Sequence, residues 1–131
     1  MSIREKWENQ DMAALARAWV AEIRSGKPPT KDDVGTKVTL MNFTALPAVQ
    51  WTFLNAAVDA AETDDELGAI AAGPFEHLLG FHGDDYISLV ESRANDDPSF
   101  ARMITGAWQH GMSEEVWGRV RSIQASVQNP I

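Results

Sequence analysis

The chain is expected to fold as an all-α protein: about six to seven short antiparallel helices in a compact bundle, for which a HEAT-like stack of hairpins is one arrangement. Two observations predict this class. Apolar residues recur at helical spacing through nearly the whole sequence. The breaks between these stretches carry glycine, proline and small polar residues in helix-stop and helix-start order. At 131 residues, one domain over 1–131 is expected, long enough to bury a core without disulfides or metal.

The first helix is expected from about Glu8 to Ser25, where Met12, Leu15, Ala16, Trp19 and Ile23 share one face. Gly26 stops it, and Pro28-Pro29 prevents a restart. Residues 27–44 are the least regular part. Val38 and Leu40 alternate briefly, but a lone strand would be marginal, so this segment is expected to be a long irregular connection and a secondary candidate site. Thr44 then offers an N-cap, with Pro47 in the first turn of a central helix. Its polar residues Thr52, Asn55 and Asp59 form one narrow strip, the pattern of a helix buried on most sides. Thr63 and Glu66 make a capping box that opens a short helix through Ala72.

Further helices are expected near 74–82, 85–95, 98–109 and 114–127. Their inward residues are Phe75, Leu78 and Leu79; Ile87, Val90 and Ala94; Phe100, Met103, Ile104 and Ala107; and Val116, Val120, Ile123 and Val127. Asp97-Pro98 and Ser113-Glu114-Glu115 are helix starts. The two halves, 47–82 and 85–127, could form repeated hairpins, although no sequence repeat enforces it.

Bulk properties narrow the function. The formal net charge of -8 opposes phosphate backbones and anionic membrane surfaces, so no nucleic acid and no membrane is expected as partner, whereas a basic protein suits it. The acids are dispersed, mostly at helix starts, unlike the rows of a DNA mimic. No cysteine is present, which excludes disulfides, thiolate zinc sites and a cysteine nucleophile. The first residues lack a continuous apolar run of the signal-peptide kind, and no window suits a membrane span, so a cytoplasmic location is expected.

The stretch AAGPFEHLLGFHGDD, residues 71–85, concentrates the chemistry-bearing side chains. Glu76, His77, His82 and Asp84 are of the types that hold divalent metals or run acid/base steps. A zincin helix places two histidines four apart. His77 and His82 are five apart, about 140° from one another on a continuous helix, with His82 on the core-facing stripe and His77 toward solvent. Helix punctuation explains the same residues: Gly73 and Pro74 as stop and start, Glu76 as a first-turn cap, Gly83 as the next stop and Asp84 as the following cap. No EF-hand loop, P-loop, dinucleotide fingerprint or nucleophile elbow occurs, and no cofactor is called for.

Trp19 and Trp51 lie among apolar neighbours and are expected in the core. Trp7, Trp108 and Trp117 are candidate interface residues, since exposed tryptophan is enriched among interface anchors. Arg102, Arg119 and Arg121 offer a small basic patch.

Several of these residues carry a resemblance. Pro47-x-x-x-Trp51, AAGPFEHLL (71–79), His82-Gly83, Asp97-Pro98-x-Phe100, Trp108 and VWGRV (116–120) resemble an uncharacterised family of small bacterial proteins. That family is marked by an A-A-G-P-L-E-x-L-L signature, a DP-x-F segment and a closing VW-x-R-V. The resemblance spans roughly residues 44–121, and departs at Phe75, where leucine is usual, and at His77, where an acid is common. It implies a helical bacterial domain and no particular activity.

The function expected from these residues is that of a non-enzymatic, acidic, helical protein-interaction module of bacterial or phage origin, of the inhibitor or immunity-protein kind. The alternative is a small metal-dependent hydrolase using Glu76, His77, His82 and Asp84. A homo-oligomer with its tryptophans between subunits is a third arrangement.

Overall fold

Small polar side chains set most of the helix starts. Ser2, Asp11, Asp33, Thr63, Asp97 and Ser113 each accept a hydrogen bond from a backbone N–H in the first turn of the helix that follows. The structure, a computed structural model, describes residues 2–131. All regular secondary structure among the described residues is helical: α1 (Ile3–Glu8), α2 (Met12–Ser25), α3 (Val34–Thr44), α4 (Pro47–Ala60), α5 (Asp64–Ile70), a π-helical turn (Ala71–Phe75), α6 (Glu76–Asp96), α7 (Pro98–Ile104) and α8 (Glu114–Ser126). Gly26 ends α2 with φ of 66°, the left-handed conformation that glycine adopts without strain.

The connection expected over 27–44 is helical in its second part, α3. The signal that local reading lacks comes from another helix. The Glu22 carboxylate of α2 accepts the N–H groups of Val34 at 2.7 Å and Gly35 at 2.8 Å, while Asp33 accepts that of Thr36 at 2.8 Å. Three orphan donors of the new helix are thereby satisfied. Thr44 is not the cap of α4, which begins at Pro47 with no side-chain cap on Leu46. Thr44 instead accepts the Trp7 indole N–H at 2.6 Å and donates to the Leu40 carbonyl at 2.6 Å. Trp7 is thus 3% exposed and belongs to the core, not to an interface.

The most extensive helix pair is α2 with α4. Met12, Leu15, Ala16, Trp19 and Val20 are buried on one side and Phe53, Leu54, Ala57 and Val58 on the other, with the Trp19 and Phe53 rings 5.7 Å apart. Each large side chain so buried contributes about 1.5–3 kcal/mol. The central position expected for the 47–60 helix is found: α4 also meets α5, α6, α7 and the π turn.

The break expected at Gly73-Pro74 does not occur, whereas the one expected near Gly83-Asp84 is found one residue earlier, at His82. Pro74 lacks an N–H, and in α geometry its ring would press on the Ile70 carbonyl. The wider π turn absorbs it, with the Glu76 N–H donating to Ala71 O. Beyond His82 α6 runs on to Asp96 as a second segment. Only His82 leaves helical geometry (φ -135°, ψ 27°), which kinks α6 there. Gly80 and Gly83 also serve close approach. A Cβ on Gly80 would lie 2.8 Å from the His110 carbonyl oxygen, and one on Gly83 would lie 3.1 Å from both Val116 methyls.

α7 stops at Ile104, short of the expected 109, and residues 105–113 fold back over α6 as a loop. Gln124 of α8 fastens its base by donating to the carbonyls of Ile104 and Ala107, both at 3.0 Å. Ala107 and Met112 of this loop join the same core cluster that runs from Trp7 to Val120.

Candidate functional site: an aromatic-rimmed cleft over Glu76

Where the 105–113 loop meets α3 and α6, a cleft of about 480 Å³ opens. Asn42 and Phe43 line it from α3, Glu76, His77 and Phe81 from α6, and His110 from the loop. Each residue has a local reason for its position. The π turn sets the phase in which α6 begins and turns Glu76 inward, where it is 5% exposed. The small Gly80 lets the loop approach, and His110 (φ 31°) with Gly111 (φ 79°) makes the left-handed bend that returns the chain to α8. His110 is the one non-glycine residue with positive φ among those described, a conformation that costs on the order of 1 kcal/mol and concentrates at functional sites.

Glu76 is not the first-turn cap expected from the sequence. Its carboxylate accepts the Trp108 N–H at 3.0 Å, across 32 positions of chain. Its other oxygen lies 3.7 Å from His110 Nε2, beyond hydrogen-bond length. Burial pushes the Glu76 carboxyl above the ordinary glutamate range, with the Trp108 N–H and the charge on His110 pulling the other way. His77 is half-buried between two aromatic side chains, its ring 4.7 Å from Phe43 (edge-on) and 4.6 Å from Phe81. Burial holds its imidazole below the usual histidine value, against the raising effect of the Asn42 backbone and with a small push from His82. The Asn42 side-chain oxygen is buried without a hydrogen-bond partner. Phe43 and Phe81 are 68% and 67% exposed, and Trp108, held beside the cleft through its N–H, is 73% exposed.

The four residues of the hydrolase alternative are divided. Glu76 and His77 line this cleft, whereas His82 and Asp84 line a neighbouring groove with Ser113 and Val116. Both histidines are half-buried: His77 because Phe43 and Phe81 flank its ring, and His82 at the kink where the regular 100° phase breaks. Among the described residues no three of His, Asp or Glu come together as a metal-binding group. Of the candidate interface tryptophans, Trp108 is exposed, Trp7 is core, and Trp117 packs partly buried against the core. Two of the three arginines of the basic patch are paired, Arg102 with Asp64 and Arg119 with Glu91, and Arg121 is exposed. What sequence reasoning missed is the pairing of Glu76 with the Trp108–His110 loop and the role of Asn42 and Phe43. Neither leaves a local signal, since the partners are some 30 residues apart and Phe43 lies in the segment read as irregular.

The fold and cleft define an all-helical domain with one aromatic-rimmed acidic recess. Over residues 28–127 the chain matches a family of unknown function (DUF6869), and it belongs to that family. The match extends upstream of the resemblance seen at 44–121 and takes in α3, whose Asn42 and Phe43 line the cleft. No curated protein and no solved structure matches the chain. No helix among the described residues is long and apolar enough to cross a membrane.

Proposed function

We propose that this protein is a non-enzymatic interaction module, of the inhibitor or immunity-protein kind, that binds a basic cytoplasmic protein through the surface around the Glu76 cleft. The observation that carries this reading is the exposure of Phe43 and Phe81 on the rim of one recess, with the exposed Trp108 tied to Glu76 through its backbone N–H. Leu40 extends the patch from the same face of α3, one helical turn before Phe43. Large aromatics left in water at a concave site supply the rigid apolar anchors on which interfaces depend. The net charge of -8 adds long-range attraction to a basic partner.

The test compares affinity purification from the native host with wild type and with a Phe43→Ala/Phe81→Ala/Trp108→Ala variant. A basic partner retained by wild type and lost by the variant, with helicity and melting temperature kept, supports the reading. A partner held equally by both overturns it. So does light scattering that finds a wild-type homodimer dissociated by the same three substitutions, since the patch would then be covered by a second copy.

A further inference from the structure

We infer that the cleft receives an arginine side chain of the partner, its guanidinium seated against the Glu76 carboxylate and its stem lying across the row of rings formed by Phe43, His77 and Phe81. This rests on the docking reading above and gives it a chemistry. A buried carboxylate has about four lone-pair sites to satisfy. Glu76 has one hydrogen bond, from the Trp108 N–H, and its second oxygen has only the His110 ring at 3.7 Å. The same fold shows what a fully partnered buried glutamate looks like. Glu66 accepts from the Arg24 guanidinium at 2.6 and 3.2 Å, from the Thr63 hydroxyl at 2.6 Å and from the Glu62 N–H at 3.0 Å. Glu76 therefore sits in the cleft short of donors.

A ligand for such a recess must bring several donors, a positive charge and an apolar or planar body. The guanidinium does: its fork carries five N–H groups, and its flat, weakly hydrated face stacks on aromatic rings. An ammonium is a compact, strongly hydrated charge and leaves the ring faces unused. An anion would meet the Glu76 carboxylate. No lysine or arginine lines the cleft, and burial keeps His77 toward its neutral form; the His110 ring, 3.7 Å from Glu76 and beyond hydrogen-bond length, is the competitor that a guanidinium must displace.

The probes are four short alanine-based peptides that differ at one central residue: arginine, lysine, citrulline or glutamate. Binding is followed by NMR shifts of the Trp108 indole and the His77 ring. The arginine peptide is expected to bind, with citrulline, its uncharged near-isostere, about tenfold or more weaker, as loss of one charge-assisted contact implies. Lysine is expected between them and glutamate not at all. Glu76→Gln, which keeps an acceptor for the Trp108 N–H, is expected to remove the preference for arginine over citrulline without lowering the melting temperature. Equal binding of arginine and citrulline, an unchanged preference in Glu76→Gln, or no binding of the arginine peptide at millimolar concentration overturns the inference. If a host partner depends on Phe43, Phe81 and Trp108 but ignores Glu76→Gln, the docking reading stands and the arginine fails. If arginine binds the cleft while no partner depends on those aromatics, the reverse holds.

Discussion

Glu66 and Glu76 are buried glutamates ten residues apart on one helical run, and the fold treats them in opposite ways. Glu66, 1% exposed, is held by Arg24, Thr63 and the Glu62 N–H, and these bonds, that from Arg24 first, bring its carboxyl down from 4.5 to about 2. Glu76, 5% exposed, has one backbone donor, and burial raises its carboxyl. The first acid joins elements: its arginine comes from α2, and Arg24 also reaches Ala60 O at the end of α4. The second faces a recess. A buried charge with every lone pair taken is architecture, whereas one left with a single donor beside a cleft is available to a ligand.

The sharpest way to break this comparison is to remove one partner from each acid. Arg24→Met strands the Glu66 carboxylate and is expected to cost about 2–4 kcal/mol, read by chemical denaturation, since an uncompensated buried charge dominates the loss. Glu76→Gln is expected to change stability by less than about 1 kcal/mol in either direction. Equal losses would erase the distinction.

Next in size is the geometry that brings the loop to Glu76. Gly80→Ala places a methyl 2.8 Å from the His110 carbonyl oxygen, against backbone that has little room to move. A loss of about 1–3 kcal/mol is expected, with altered NMR signals from Trp108 and His110. Unchanged stability and spectra would show that the loop is not seated on α6 as described.

The pH dependence separates the acids by sign. The folded pKa of Glu66 is lowered, so its contribution is complete above about 4.5 and is lost as pH falls toward 2. The folded pKa of Glu76 is raised, so the folded state holds its proton more tightly than the unfolded chain does. Its contribution is present below the ordinary glutamate value and is lost as pH rises through the raised one. Denaturation against pH is expected to lose part of its acid-side slope in Glu66→Gln, the rest staying with Asp33, Asp64 and Glu91, and in Glu76→Gln to show a more positive slope just above the ordinary value. The smallest expected effect is that of Trp108→Ala, within about 0.5 kcal/mol in stability, because the indole is in water. Partner binding alone should suffer.

The helix starts were legible where the capping group is local, as at Asp97-Pro98, Ser113 and Thr63–Glu66, and so were the apolar stripes of α2, α4 and α8. What was not legible depends on contacts distant in sequence. α3 owes its first turn to Glu22 of α2, so residues 34–44 carried no start signal beyond Asp33. Pro74 ordinarily begins a helix but here sits inside a π turn, and Gly80 ordinarily ends one but here admits a neighbour, while the break near Gly83 was legible. Those substitutions of role moved Glu76 from a cap to the cleft floor. Trp7 was a candidate interface residue because its partner, Thr44, is 37 positions away. The stretch 71–85 did contain two of the cleft's residues, Glu76 and His77, but not the companions that give them meaning.

The most direct measurement follows the side-chain carboxyl carbons of the two glutamates by NMR across a pH titration of the native protein. The expected result is a Glu66 titration near 2 and a Glu76 titration above the ordinary 4.5. A Glu76 carboxyl that titrates at or below the ordinary value would mean that it is already fully partnered, and would contradict its standing as the open acid of the cleft.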